Sequence, residues 1–151
     1  MMSTAEERKE NDRKLDFIAA EAAGDNKEAE EYLHLLAGWA RITDDVYDEF
    51  ENVDRLHVMG AIEIAFIRLP ANKFFRENYD ILFSQHLALW NAWEASNLLY
   101  NGDELDRIYA HVLRDYLIEV LPIVANLTQG HSKMKEVNMM IRKLFKKPLE
   151  D

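Results

Sequence analysis

The sequence predicts an all-α protein, and three observations carry that prediction. Apolar residues recur with the helical period along most of the chain. No stretch alternates with period two for long, and Val, Ile and Thr are scattered rather than gathered into strands. The periodic segments are punctuated by helix signals: capping-box spacings at Ser3–Glu6 and Thr4–Glu7, Gly24, Pro70, and the turn Asn101-Gly102-Asp103. The expected architecture is a single-domain bundle of about six helices over residues 1–151, with residues 1–12 open to fraying and 147–151 a flexible tail.

Helix one opens at Ser3 or Thr4, buries Leu15, Ile18, Ala19 and Ala22 at spacing i, i+3, i+4, i+7, and stops at Gly24. Helix two runs from Asp25 or Asn26 to about Glu51. It is apolar on two sides, Leu35, Trp39, Ile42, Val46 and Phe50 on one and Leu33, Leu36, Ala37, Ala40 and Tyr47 on another, which predicts a central position. Helix three follows Asp54 and ends before Pro70; the segment 70–80 is a connection with room for one helical turn.

Helix four is the apolar run Ile81–Tyr100, with Glu94 its one formal charge, and is expected to be the most buried element. Helix five starts at a cap, Asp103, and continues to about Thr128 with a kink at Pro122. It carries Glu104, Arg107, His111, Arg114 and Asp115 on one face and Ile108, Val112, Tyr116 and Val120 on the opposite one. Helix six is capped by Ser132 and ended by Pro148.

Composition removes several function classes. With 48% hydrophobic and 11% aromatic residues the chain is not intrinsically disordered. Eighteen basic against twenty-eight acidic residues, a net charge of −10, leave no positive footprint for nucleic acid. The short basic stretch at 141–147 reads as a helix end with favourable dipole placement. There is no cysteine, so disulfides, thiolate metal sites and cysteine nucleophiles are excluded, and a cytoplasmic location is compatible. Helix four holds Ser84, Gln85, His86, Asn91, Ser96 and Asn97, too many polar groups for a lipid-facing span, so no membrane partner is expected. The histidines form no zinc-binding spacing, and the five glycines make no phosphate-cradling loop.

The stretch Arg41–Phe50 places Asp44, Asp45, Asp48 and Glu49 on a helix that otherwise reads as buried. Asp44 and Asp48, four apart, project together, as do Asp45 and Glu49. Like charges at that spacing repel, so a compensating cation is expected: Mg²⁺ in a metal site, or an arginine. The bland alternative is that the last two turns of helix two are solvated. Elsewhere, Asn91, Glu94 and Asn97 recur every three residues on helix four. They predict either a mutual hydrogen-bond seam or a polar cavity wall opposite the aspartates. On helix five Arg114 is the natural diphosphate clamp or aspartate partner, with His111 and Asp115 beside it.

Three resemblances bear on these residues. Asp44-Asp45-x-x-Asp48 resembles the DDxxD signature of class I terpenoid synthases, all-α enzymes that bind Mg²⁺ and a substrate diphosphate. The resemblance implies Asp44 and Asp48 as metal ligands with Asp45 in support; the second metal motif of that family does not occur here. Glu28-x-x-Glu31 with Asp45-x-x-Asp48 resembles the metal-binding layout of MazG-like nucleotide pyrophosphohydrolases, with aspartate in place of glutamate and both pairs on one helix. The third covers most of the chain: Asp44–Asp48, Pro70–Phe74, Trp93–Asn97 and Val112–Asp115 resemble a group of small phage-encoded helical proteins of uncharacterised function. It implies a phage or prophage source, and hence a host cytoplasm.

Two functions of different class follow. One is a Mg²⁺-dependent protein binding or hydrolysing a diphosphate-bearing small molecule, with Asp44, Asp45, Asp48 and Glu49 at the metal and Arg114, His111, Asp115, Asn97 and Glu94 at the substrate. The other is a non-catalytic, acidic interaction protein or homo-oligomer, binding a host or phage protein, whose aspartates form structural ion pairs.

Overall fold

The computed structural model describes residues 4–146, and among them every regular element is helical. In chain order these are α1 (Ala5–Ala23), α2 (Lys27–Glu49), α3 (Arg55–Glu63), α4 (Leu69–Ala71), α5 (Lys73–Glu77), α6 (Tyr79–Leu99), α7 (Glu104–Arg114), α8 (Val120–Gln129) and α9 (His131–Leu144). Short 3₁₀ turns occupy Phe50–Asn52 and Tyr116–Glu119, and a π turn covers Ile64–Arg68. The all-α expectation holds, with more helical segments than the six anticipated. Ser3 and Pro148 lie outside the described residues.

Helix α1 starts at a reciprocal cap. Glu7 N–H donates to the Thr4 hydroxyl (3.2 Å), and Thr4 N–H donates to the Glu7 carboxylate (2.7 Å). It ends at Gly24, whose φ of 58° lies in the left-handed region that glycine tolerates. Asn26 then caps α2, its side chain accepting from Ala29 N–H at 3.0 Å.

The core lies between the C-terminal half of α1, the N-terminal half of α2, and α8 and α9. Ile18, Ala19 and Ala22, then Tyr32, then Val124 and Ala125, then Val137 and Ile141 are all fully buried. The buried positions of α1 also include Ala23, so three of its four are alanines, which lets α8 approach closely enough for side chains at its end to reach α1's backbone. The Thr128 hydroxyl donates to the Ala22 carbonyl at 2.7 Å, and Gln129 Nε2 donates to the Glu21 carbonyl at 2.9 Å. Those carbonyls belong to the last turn of α1 and have no partner within their own helix.

Four expectations are corrected by the structure. Helix five is not one kinked helix but α7 and α8, broken at Asp115; Pro122 sits in the first turn of α8, where its missing N–H removes no hydrogen bond. Helix α9 begins at His131 behind Gly130, so Ser132 does not cap it. Helical structure carries through Pro70 as far as Ala71. The widened π turn lies immediately before that proline, and its closing bond runs from Leu69 N–H to the Ile64 carbonyl. The segment after Pro70 holds α5, capped by buried Asn72 and burying Phe74 and Phe75.

The fourth correction is the largest. The run Ile81–Tyr100 is not the most buried element. Leu82, Leu89, Ala92, Ser96 and Asn97 of α6 are buried, but Phe83, Leu87, Trp90 and Leu98 form an outward stripe, Leu98 being 83% exposed. Leu82 and Leu89 join the core cluster, and α6 offers it that one face only. We expect Leu82→Ala to cost about 2–5 kcal/mol in urea unfolding. On the opposite side of the same helix Leu87→Ala should cost well under half of that; equal losses would mean that α6 is buried all round.

Candidate functional site

Burial fades along α2. Its first half is inside the core, whereas Asp44, Asp45, Asp48 and Glu49 in the last two turns are all half-buried. The cluster is neither sealed nor simply wet, and its members turn to different neighbours. Asp45 receives the Arg8 guanidinium of α1 at 3.1 Å. Asp44 accepts the indole N–H of Trp93 of α6 at 3.0 Å. Glu49 accepts from the Asn52 amide at 3.0 Å, holding the 3₁₀ turn that ends the helix. Asp48 is also engaged. Among the described residues no group of three or more histidines and carboxylates is gathered to hold a metal ion.

The other predicted residues separate in the same way. Asn91 and Glu94 are exposed, so the hydrogen-bond seam expected on α6 reduces to Asn97, which is buried. Asn97 Oδ1 accepts from Arg114 Nη2 of α7 at 3.2 Å, and the guanidinium lies 5.1 Å from the centre of the Tyr100 ring. Arg114 Nε is buried without a hydrogen-bond partner among the described residues. His111 and Asp115 are half-buried on either side of it in sequence, Asp115 closing α7. Arg114 therefore serves Asn97 and Tyr100 rather than the aspartates of α2.

These contacts make a chain of ties: α1 to α2 through Arg8 and Asp45, α2 to α6 through Asp44 and Trp93, α6 to α7 through Asn97 and Arg114. Trp93 also meets Tyr47 edge-on, with centroids 5.4 Å apart, and Trp90 lies 6.0 Å from Trp39. Trp90 and Trp93 thus anchor α6 on α2.

Helix α7 has the opposite orientation to the one its pattern predicts. Its buried side carries Ala110 with half-buried Leu113 and Arg114, while Leu105, Tyr109 and Val112 are each more than 60% exposed. Ile108 and Tyr116, expected in the core, are exposed too; of that predicted face Val120 alone is buried, at the start of α8.

A pair that sequence reasoning missed sits deeper. The Tyr32 hydroxyl and His86 Nε2 are 2.8 Å apart, with both rings stacked on Phe75. Burial pushes the Tyr32 hydroxyl above its ordinary range and the His86 imidazole below its own, which favours the neutral form of both partners in this hydrogen bond. Neither residue belongs to a recognisable spacing, and only the packing of α2 against α6 brings them together. A fully buried phenol held this way is a structural hydrogen bond.

Comparison with protein-family models, with curated proteins and with solved structures yields no match to this chain.

Two expectations follow. Asn97→Leu strands the Arg114 guanidinium and should cost about 1–3 kcal/mol, whereas Glu104→Leu on an exposed first turn should change little; equal effects in thermal melts would contradict the Asn97–Arg114 tie. For His86 the folded value lies below the ordinary 6.5, so the unfolded chain takes up the proton first. This contribution to stability is complete above pH 6.5 and is lost as pH falls below it toward the folded value. Melting temperature should drop across that window in the wild type and drop less in His86→Gln.

Proposed function

We propose that this chain is a non-catalytic interaction protein, in which the aspartates and Arg114 set the angles between helices and apolar helix faces serve another polypeptide. The observation that carries this reading is the reversed α7, with Leu105, Tyr109 and Val112 in solvent and Arg114 against α6. Fully burying a side chain of that size is worth about 1.5–3 kcal/mol, so a helix working alone would turn the stripe inward. Outward stripes on α6 and on the α3 segment point the same way. Asp45 is paired with the Arg8 guanidinium and Asp44 accepts the Trp93 indole N–H, which supports compensation from within the chain rather than from a metal ion. The chain's resemblance to small phage-encoded helical proteins would place this interaction in an infected host cell.

The test is thermal stability with millimolar Mg²⁺, with and without pyrophosphate. We expect no shift beyond that given by a monovalent salt at matched ionic strength. A rise in melting temperature that Asp44→Asn and Asp48→Asn abolish would overturn the reading and put a diphosphate-binding metal site in its place.

A further inference from the structure

Between the C-terminal half of α2 and the α3 segment runs an open groove of about 420 Å³. Trp39, Ile42 and Val46 line it from α2, and Ala61, Ala65 and Phe66 from the facing helix. No charged side chain lines it. Beside it stands a ridge. Leu56, Met59, Ile62 and Phe66 follow one another at helical spacing, each more than half exposed, with Phe66 at 80%. Ile62 and Phe66 belong to both features, forming one wall of the groove and the crest of the ridge.

We infer that the occupant of this groove is a second copy of the same chain, packed about a two-fold axis beside Ile62 and Phe66. This rests on the interaction reading above and names the partner of the α3 face, leaving the faces of α6 and α7 outside the contact. Two arguments select a copy of the chain. The first is shape: a groove with a ridge on its own rim is self-complementary, so each chain's Phe66 can enter the other's groove by one symmetric operation. The second is area. The chain exposes 9893 Å², whereas a compact monomer of 17.7 kDa exposes about 8,000 Å². The excess, about 1,900 Å² per chain, counts every exposed face, those of α6 and α7 included, and an interface of about 800 Å² a side, standard for a stable dimer, takes less than half of it. No charged side chain lines the groove, so Phe66 enters it without desolvating a charge.

Sedimentation equilibrium of the full chain tests this, with circular dichroism of each variant to verify folding. The wild type should weigh twice 17.7 kDa. Phe66→Asp should weaken the dimer by roughly 30-fold or more, as loss of a central anchor does. Ala65→Arg, which fills the groove, should do the same, as should Met59→Glu, which charges the ridge away from the groove wall. Leu105→Asp on α7 should leave the dimer intact. If Leu105→Asp dissociates the dimer while Phe66→Asp does not, the interface lies on α7; this inference falls and the interaction reading stands. A wild type that stays monomeric at high concentration also overturns the inference. Only the Mg²⁺ and pyrophosphate response described above would overturn the interaction reading itself.

Discussion

The architecture depends on how closely α8 approaches the end of α1. Three alanines, Ala19, Ala22 and Ala23, make the approach possible, and the carbonyls of Glu21 and Ala22 make it specific by accepting from Thr128 and Gln129. Gly24 belongs to the same device. A Cβ there would stand 2.8 Å from Gln129 Cδ, on a backbone that L side chains rarely adopt. Lys133 adds a surface clasp, its ammonium 2.8 Å from the Glu21 carboxylate, and that hydrogen bond raises its pKa. With this end fixed, α2 must run back antiparallel to α1. The consequence is a ladder of pairs across the hairpin: Asp16 with His34, Asp12 with Arg41, Arg8 with Asp45. The acidic stretch of α2 therefore meets a basic residue of α1 as a result of topology, with no cation needed to explain that pairing.

The ties from α1 to α7 orient more than they stabilise. Partly exposed ion pairs contribute about 0–1 kcal/mol, and a neutral hydrogen bond about as much. Their value is directional. Asp44 can accept the Trp93 indole only when α6 lies at one height along α2, and Asn97, one turn further on, then sets the height of α7. Below them, the hydrogen-bonded Tyr32 and His86 fix α6 at its other end. Helix α6 is thus pinned at several levels to α2 while its outer face stays unused within the chain.

What the sequence reveals and what it hides have distinct physical causes. The Thr4–Glu7 cap, the Gly24 stop and the Asp103 cap were legible because each is a local hydrogen-bonding rule read within four residues. The break at Asp115 was not, because Pro122 drew attention to a kink that a proline in a first turn does not make. The fate of the aspartates was hidden for another reason. Spacing shows which carboxylates project together, but Arg8 lies 37 residues from Asp45 and Trp93 lies 49 from Asp44, so their partners come from tertiary packing alone. The pattern puts Ile108 and Val112 on an apolar face of α7 and reads α6 as apolar throughout, and in both helices it misjudges what covers the apolar residues. An apolar stripe read from periodicity does not say whether a neighbouring helix covers it.

That last point links the reversed helix to the polar ties. A core formed from α1, α2, α8 and α9 has room for one face of α6 and a few residues of α7. If those helices turned their outer stripes inward, they would have to displace the Tyr32–His86 and Asn97–Arg114 contacts and strand polar groups in the interior. Turned outward, Leu105, Tyr109 and Val112 together forgo several kcal/mol of burial, a sizeable share of the roughly 5–15 kcal/mol that holds a domain folded. In the proposed interaction, an intermolecular contact would recover that free energy without breaking an internal hydrogen bond. The polar ties meanwhile hold the apolar faces of α6 and α7 outward, so that the proposed partner would meet a preformed surface and association would cost little conformational entropy.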